Sequence, residues 1–174
     1  MPEEFVIRQA VNGDALLIAA LATVTFYEAY FEQDDPHDLA VYLTETFSPD
    51  SVRDQLNDPD HRFYILFRNT RAVGYAKLRD AEPHPSVRSR DAVELQRFYL
   101  VERVWGTGAG RRLLDHCFKA VAEMGKDAIW LGVWEENKRG LAFYTKHGFE
   151  RVGTLEYPYG DSVGINAVMQ RSLR

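Results

Sequence analysis

Apolar and polar positions alternate along this chain with a period that changes several times, and each change marks an element. Residues 5–10 read as a short strand. The apolar run Ala15-Leu16-Leu17-Ile18-Ala19-Ala20-Leu21 then opens a helix reaching about Phe31, with Asn12 or Asp14 able to cap it. Pro36 suits the first turn of a second helix with Leu39, Tyr42, Leu43 and Phe47 on one face, and Ser48-Pro49 caps a third, shorter one reaching Leu56. The period next falls to two: residues 62–68, a turn at 69–71 and residues 72–79 read as a hairpin.

Residues 80–91 hold two prolines, a histidine and five charged residues, with little to pack, which predicts a mobile loop. A strand resumes over 92–101. A glycine-rich turn and a helix to Gly125 follow, then a strand over 127–134, a helix over 137–147 and closing strands near 149–153 and 164–170. An early hairpin followed by strand-helix-strand-helix and a final strand pair predicts a mixed α/β sheet.

Composition changes this picture little. The 174 residues, 45% hydrophobic and 27% charged, fit one domain over 1–174 with a full core. Net charge is −5 and no basic run exceeds Arg111-Arg112, so the footprint of a nucleic-acid binder is missing and cationic partners are weakly favoured. A single cysteine, Cys117, excludes an intrachain disulfide. Without a leader-like stretch or an apolar run of about 18 residues, the expectation is a cytoplasmic protein with no membrane partner. The histidines at 37, 61, 84, 116 and 147 lack metal-ligand spacing, so no metal is expected.

The densest chemistry lies at Gly106-Thr107-Gly108-Ala109-Gly110, between the strand ending at Val101 and the helix beginning near Arg111. Residues without Cβ let backbone N–H groups converge, and a helix start adds positive potential, so the turn suits a phosphate or pyrophosphate. No Lys-Ser/Thr follows Gly110, which argues against a Walker loop; no register completes G-x-G-x-x-G, which argues against a dinucleotide site. A glycine turn without a ligand stays open at this point.

Tyr99-Leu100-Val101-Glu102, Trp105 to Leu114 around the glycine turn, Asn137, and Ala142-Phe143-Tyr144-Thr145-Lys146-His147-Gly148-Phe149 together resemble the GCN5-related N-acetyltransferase (GNAT) superfamily over nearly the whole chain. Leu95 to Tyr99, Ile129 to Glu135, Gly160-Asp161, Met169 and Leu173 resemble its bacterial spermidine/spermine N-acetyltransferases of the PaiA type. Two positions depart from the family pattern: Trp105 stands where Gln or Arg is usual, and Glu102 where proline is usual.

The resemblance implies a mixed sheet of about six to seven strands flanked by about four helices. It also implies an acetyl-CoA-dependent N-acetyltransferase whose acceptor is a primary amine such as spermidine or spermine, attacked directly in a ternary complex. It places the cofactor at Phe98, Tyr99 and Leu100, at Trp105, Gly106, Thr107, Gly108, Ala109, Gly110 and Arg111, and at the Asn137 amide. Asn137 equally suits a helix cap. Tyr144 takes the role of proton donor to the leaving thiolate, with a core aromatic as the plainer reading. Glu94, on a strand face with Gln96, Phe98 and Leu100, is the candidate base, against a solvated strand-end carboxylate.

Around the acceptor, the fold implied by the resemblance places the first two helices, the 80–91 loop and the last hairpin. Tyr30, Glu32 and Asp35 are the substrate-binding candidates, within an acidic group that also holds Glu28, Asp34 and Asp38. A solvated loop is the plainer reading of those charges. Cys117 shares an apolar helix face with Leu113, Leu114, Phe118 and Val121, which disfavours an acyl-enzyme. A peptide or protein acetyltransferase and a non-catalytic acyl-CoA sensor are the alternatives. A homodimer accords with the family, though no feature of the chain reports one.

Overall fold

The computed structural model describes residues 4–174. In chain order it forms β1 (Phe5–Gln9), α1 (Ala15–Tyr30), α2 (Pro36–Thr46), α3 (Pro49–Asn57), β2 (His61–Arg68), β3 (Arg71–Arg79) and β4 (Ala92–Leu100). There follow α4 (Ala109–Glu123), β5 (Ala128–Trp134), α5 (Lys138–Lys146), β6 (Glu150–Tyr159) and β7 (Ser162–Ser172). The sheet has seven strands in the order β1-β2-β3-β4-β5-β7-β6. Because β5 is parallel to β4 and antiparallel to β7, the sheet is mixed, as the element order predicts. Counting the short α3, the described residues hold five helices where about four were expected.

The starts of α2 and α3 follow the expected signals, and that of α1 departs from them. The Asp35 carboxylate accepts the N–H groups of His37 and Asp38, and the Ser48 hydroxyl accepts that of Ser51, each ahead of a proline at the helix start. At α1 neither Asn12 nor Asp14 caps. Asn12 donates to Asn57, while the Asp14 carboxylate turns back to accept the Val11 N–H and two guanidinium bonds from Arg8, each at 2.8 Å. A charge-assisted pair outcompetes a cap to neutral amides. Arg8, and secondarily the Val11 N–H, hold the Asp14 carboxyl below its usual range against the opposing effect of burial.

Residues 80–91 correct the sequence reading, since side chains from other elements pin the segment. Val87 is 2% exposed and packs with Ala92, Ala128, Trp130 and Val168. The Arg88 N–H donates to Gln170 Oε1 at 2.8 Å, Ser89 donates to Asp127, and Lys126 pairs with Asp80 at 2.9 Å. Strands β6 and β7 also run beyond the expected spans, pairing from Glu150↔Gln170 to Tyr159↔Ser162 with an irregularity between Arg151 and Gly153.

The chain forms two compact units: residues up to Leu78 with Arg97–Cys117, and Arg79–Gln96 with Phe118–Arg174. In the first, Ile18, Ala22 and Phe26 of α1 pack with Leu39, Leu43, Phe47 and Val52 against Phe63, Ile65 and Tyr75 of the sheet. The second is centred on the Val87 cluster. No helix of the described residues is long and apolar enough to cross a membrane.

Candidate active site

In the first unit, backbone bonds hold the turn between β4 and the start of α4. Val101 N–H donates to Val73, Trp105 N–H to Glu102 and Arg112 N–H to Gly108, the last at 3.2 Å. The N–H groups of Ala109, Gly110 and Arg111 precede that first helical bond and have no acceptor within the helix. Gly106 and Gly108 have φ of 75° and 86°, where a Cβ would meet nothing within 4 Å; conformation, not space, requires glycine there. Ala109 is wholly buried, while Gly106, Thr107 and Gly108 are exposed. This geometry fits an anionic group held by backbone donors at a helix start.

Trp105 has a definite task. Its indole Nε1–H donates to the Leu100 carbonyl at 2.9 Å and so fastens the turn to the last residue of β4. Thr107 adds a hydroxyl bond to the Val104 carbonyl at 2.7 Å. Two neighbours complete the arrangement: Glu28, which the sequence placed in the acidic group around the acceptor, and Gly74, which it passed over. Glu28 of α1 accepts the Glu102 N–H at 2.9 Å, and Gly74 of β3 leaves room for β4, since a Cβ there would stand 2.9 Å from the Tyr99 carbonyl oxygen and the Leu100 side chain.

Tyr99 is turned into the first unit's core, where its hydroxyl and that of Tyr30 share a hydrogen bond. Burial pushes both phenols up. The Tyr30 ring packs 4.4 Å from that of Phe26. Of the other expected acceptor residues, Glu32 is exposed and Asp35 serves the α2 start. Cys117 is fully buried, and burial alone pushes its thiol up to about 12. A thiol held neutral in this way is a poor nucleophile.

In the second unit, Glu94 is 9% exposed, not the solvated carboxylate of the plainer reading. Arg79 donates to its Oε2 through Nε at 2.7 Å and Nη2 at 2.6 Å. Glu94 also ends the parallel ladder of Ala92–Glu94 with Ala128–Trp130, beyond which β4 runs on to Leu100 and β5 to Trp134. Asn137 caps α5, its Oδ1 accepting the Gly140 N–H at 2.8 Å; a Cβ at Gly140 would collide with that side chain at 2.7 Å. Tyr144 is 9% exposed, edge-on to Phe143 and Phe149 at 5.3 and 5.4 Å.

The model of the acetyltransferase (GNAT) family matches residues 23–149, most of the chain. The chain belongs to the GNAT acetyltransferase family. As a member it is an N-acetyltransferase. A GNAT relative from Mycobacterium tuberculosis, described as an uncharacterized N-acetyltransferase, is 32% identical over 161 residues, covering 92% of this chain and 98% of its own length. The spermine/spermidine N(1)-acetyltransferase of Bacillus subtilis is 29% identical over 86 residues, covering 49% of this chain and 57% of the relative. Among solved structures, PaiA N-acetyltransferase from Thermoplasma acidophilum in complex with coenzyme A superposes with a TM-score of 0.79 at 20% identity, covering 97% and 99% of the two chains. That likeness shows the GNAT fold.

Proposed function

We propose that this chain transfers an acetyl group from acetyl-CoA to a small primary amine, by direct attack in a ternary complex. The observation that carries the reading is the anion cradle of Gly106 to Arg111 at the start of α4, in a chain of this family and with the fold of a protein solved with coenzyme A. The cradle's N–H groups would hold the pyrophosphate, and the backbone of Phe98, Tyr99 and Leu100 beyond the β4–β5 ladder would pair with the pantetheine amides. The Asn137 amide nitrogen would join them while its oxygen keeps the cap, since the two atoms have separate bonding capacity.

Acetyl-CoA supplies a thioester: the amine nitrogen bonds its carbonyl carbon, the C–S bond breaks, nitrogen gives up a proton and sulfur gains one. An amine with a pKa of about 10.4 arrives protonated, so the proton must first be taken away. Glu94 is the proposed acceptor. Held by Arg79 at Oε2, it takes the proton through a water and passes it on to bulk solvent. Tyr144 protonates the sulfur, its position set by Phe143 and Phe149. The Leu100 N–H polarises the thioester carbonyl. Cys117 takes no part, being buried and neutral.

A second reading, a polyamine acceptor, draws on the PaiA resemblance and the partial match to the Bacillus subtilis enzyme. The acidic residues it relied on are partly engaged elsewhere, Asp35 at the α2 start and Glu28 on the Glu102 N–H. Purified protein with acetyl-CoA and a panel of diamines, polyamines, amino acids and peptides tests the function. Release of free thiol with at least one primary amine is expected, and no release with any of them would overturn it.

A further inference from the structure

One side of α1 is exposed along its whole length, and that side is apolar. Leu16, Leu17, Val24, Tyr27 and Phe31 are 38–68% exposed, with the exposed Ala20 among them. Phe31 belongs to the same helical path, since its N–H donates to the Tyr27 carbonyl at 2.9 Å, and the two rings stack 5.8 Å apart. A surface helix ordinarily turns charged residues outward. On this side Thr23 bends its hydroxyl back to the Ala19 carbonyl at 2.8 Å, and Glu28, the only charged residue of α1, accepts the Glu102 N–H. The Tyr27 hydroxyl apart, little on the face calls for water, while the opposite face is already filled by the first unit's core.

The spacing of these residues is specific. Leu17, Ala20, Val24, Tyr27 and Phe31 recur at alternating intervals of three and four, the spacing of a helix–helix seam. The sequence carries that spacing, but only the fold shows that it faces outward. The residues are also matched about Val24. Leu17 and Phe31 stand seven positions either side of it, and the small Ala20 stands four before where the large Tyr27 stands three after. Laid antiparallel on its own copy, the helix brings Leu17 to Phe31, Ala20 to Tyr27 and Val24 to Val24, pairing small with large as close packing requires. The exposed parts of these side chains amount to roughly 500–600 Å² on each copy, so pairing removes about 1,000 Å² in all, the scale at which a specific interface becomes stable.

We propose that α1 is the interface of a homodimer, in which two copies of this helix pack antiparallel across a two-fold axis at Val24. The proposal stands apart from the transfer chemistry, and activity is not its readout.

Sedimentation equilibrium of the full chain tests it. The 20.0 kDa chain should sediment at twice that mass at micromolar concentration, and a monomer throughout would overturn the proposal. Val24→Glu sets two carboxylates face to face on the axis and should weaken the dimer by about 100-fold or more. Its melt as a monomer should show a folded chain, because Val24 is exposed on the single chain. A dimer as tight as wild type in this variant would move the interface off α1. Cysteine cross-linking reads the register, since the one native cysteine, Cys117, is fully buried. Val24→Cys should link two copies on mild oxidation, whereas in Phe31→Cys the two thiols stand about 20 Å apart along the seam and should not link. No link through position 24, or an equal link through 31, would overturn the antiparallel pairing. The wild-type mass decides whether the dimer exists whatever the variants do.

Discussion

Tyr144 and Trp105 carry the sharpest consequences of single groups. Tyr144→Phe removes one oxygen and keeps the ring between Phe143 and Phe149, so melting temperature should hold nearly constant while kcat falls by about 10²-fold or more, the scale of a lost general acid. An unchanged kcat under saturating acetyl-CoA would remove Tyr144 from the chemistry. Trp105→Phe deletes the indole N–H on the Leu100 carbonyl, a bond worth about 0.5–1.5 kcal/mol. If that bond positions the cradle, KM for acetyl-CoA rises about two- to tenfold with kcat little changed; an unaltered KM would show that the backbone holds its shape unaided. Sequence alone marked Trp105 as a departure from the family, but its bond to β4 depends on where the chain turns back, which local pattern does not encode. Strand alternation tells which face a side chain takes, not which group from another strand waits there.

Elements were legible where their signals are local. Pro36, Pro49 and the residues before them mark helix starts that the structure keeps, because the cap and the fixed φ act within a few residues. The start of α1 and residues 80–91 were misread, because Asp14 answers to Arg8 and the 80–91 segment to Gln170, Asp127 and Lys126, partners that no local window contains. Limited proteolysis of the native protein should therefore spare peptide bonds near Val87, Arg88 and Arg90, although arginines normally invite trypsin. Early cleavage there would show the anchoring to be weak. The interior of the first unit also sets a pH response. Burial raises Tyr75, Tyr99 and Tyr30 above the usual 10.0 and Cys117 above 9.0, so their contribution to stability is complete below those values and is lost as pH climbs through the raised ones. Asp14 is lowered from 3.8, so its contribution is present above that value and disappears as pH falls through the lowered one. Thermal melts should show a plateau near neutrality with losses towards both extremes, and a melting temperature still rising between pH 9 and 11 would contradict the alkaline assignment.

At the scale of the whole molecule, the mixed sheet was readable because a glycine turn between strand and helix, a second strand-helix unit and a closing hairpin admit few arrangements. The acceptor was much less readable. The resemblance suggested a polycation and an acidic run in sequence could have held one, whereas folding places Asp35 and Glu28 of that run on backbone N–H groups. Charge in a sequence thus shows what is present, and only the fold shows what is already paired. The central claim is direct transfer of acetyl from acetyl-CoA to an amine nitrogen. Acetyl-labelled acetyl-CoA, incubated with the protein first alone and then with an accepted amine, tests it most directly. The account predicts no stoichiometric label on the protein and label on the amine once it is added; a labelled Cys117 that discharges to the amine, or label that never leaves acetyl-CoA, would contradict it.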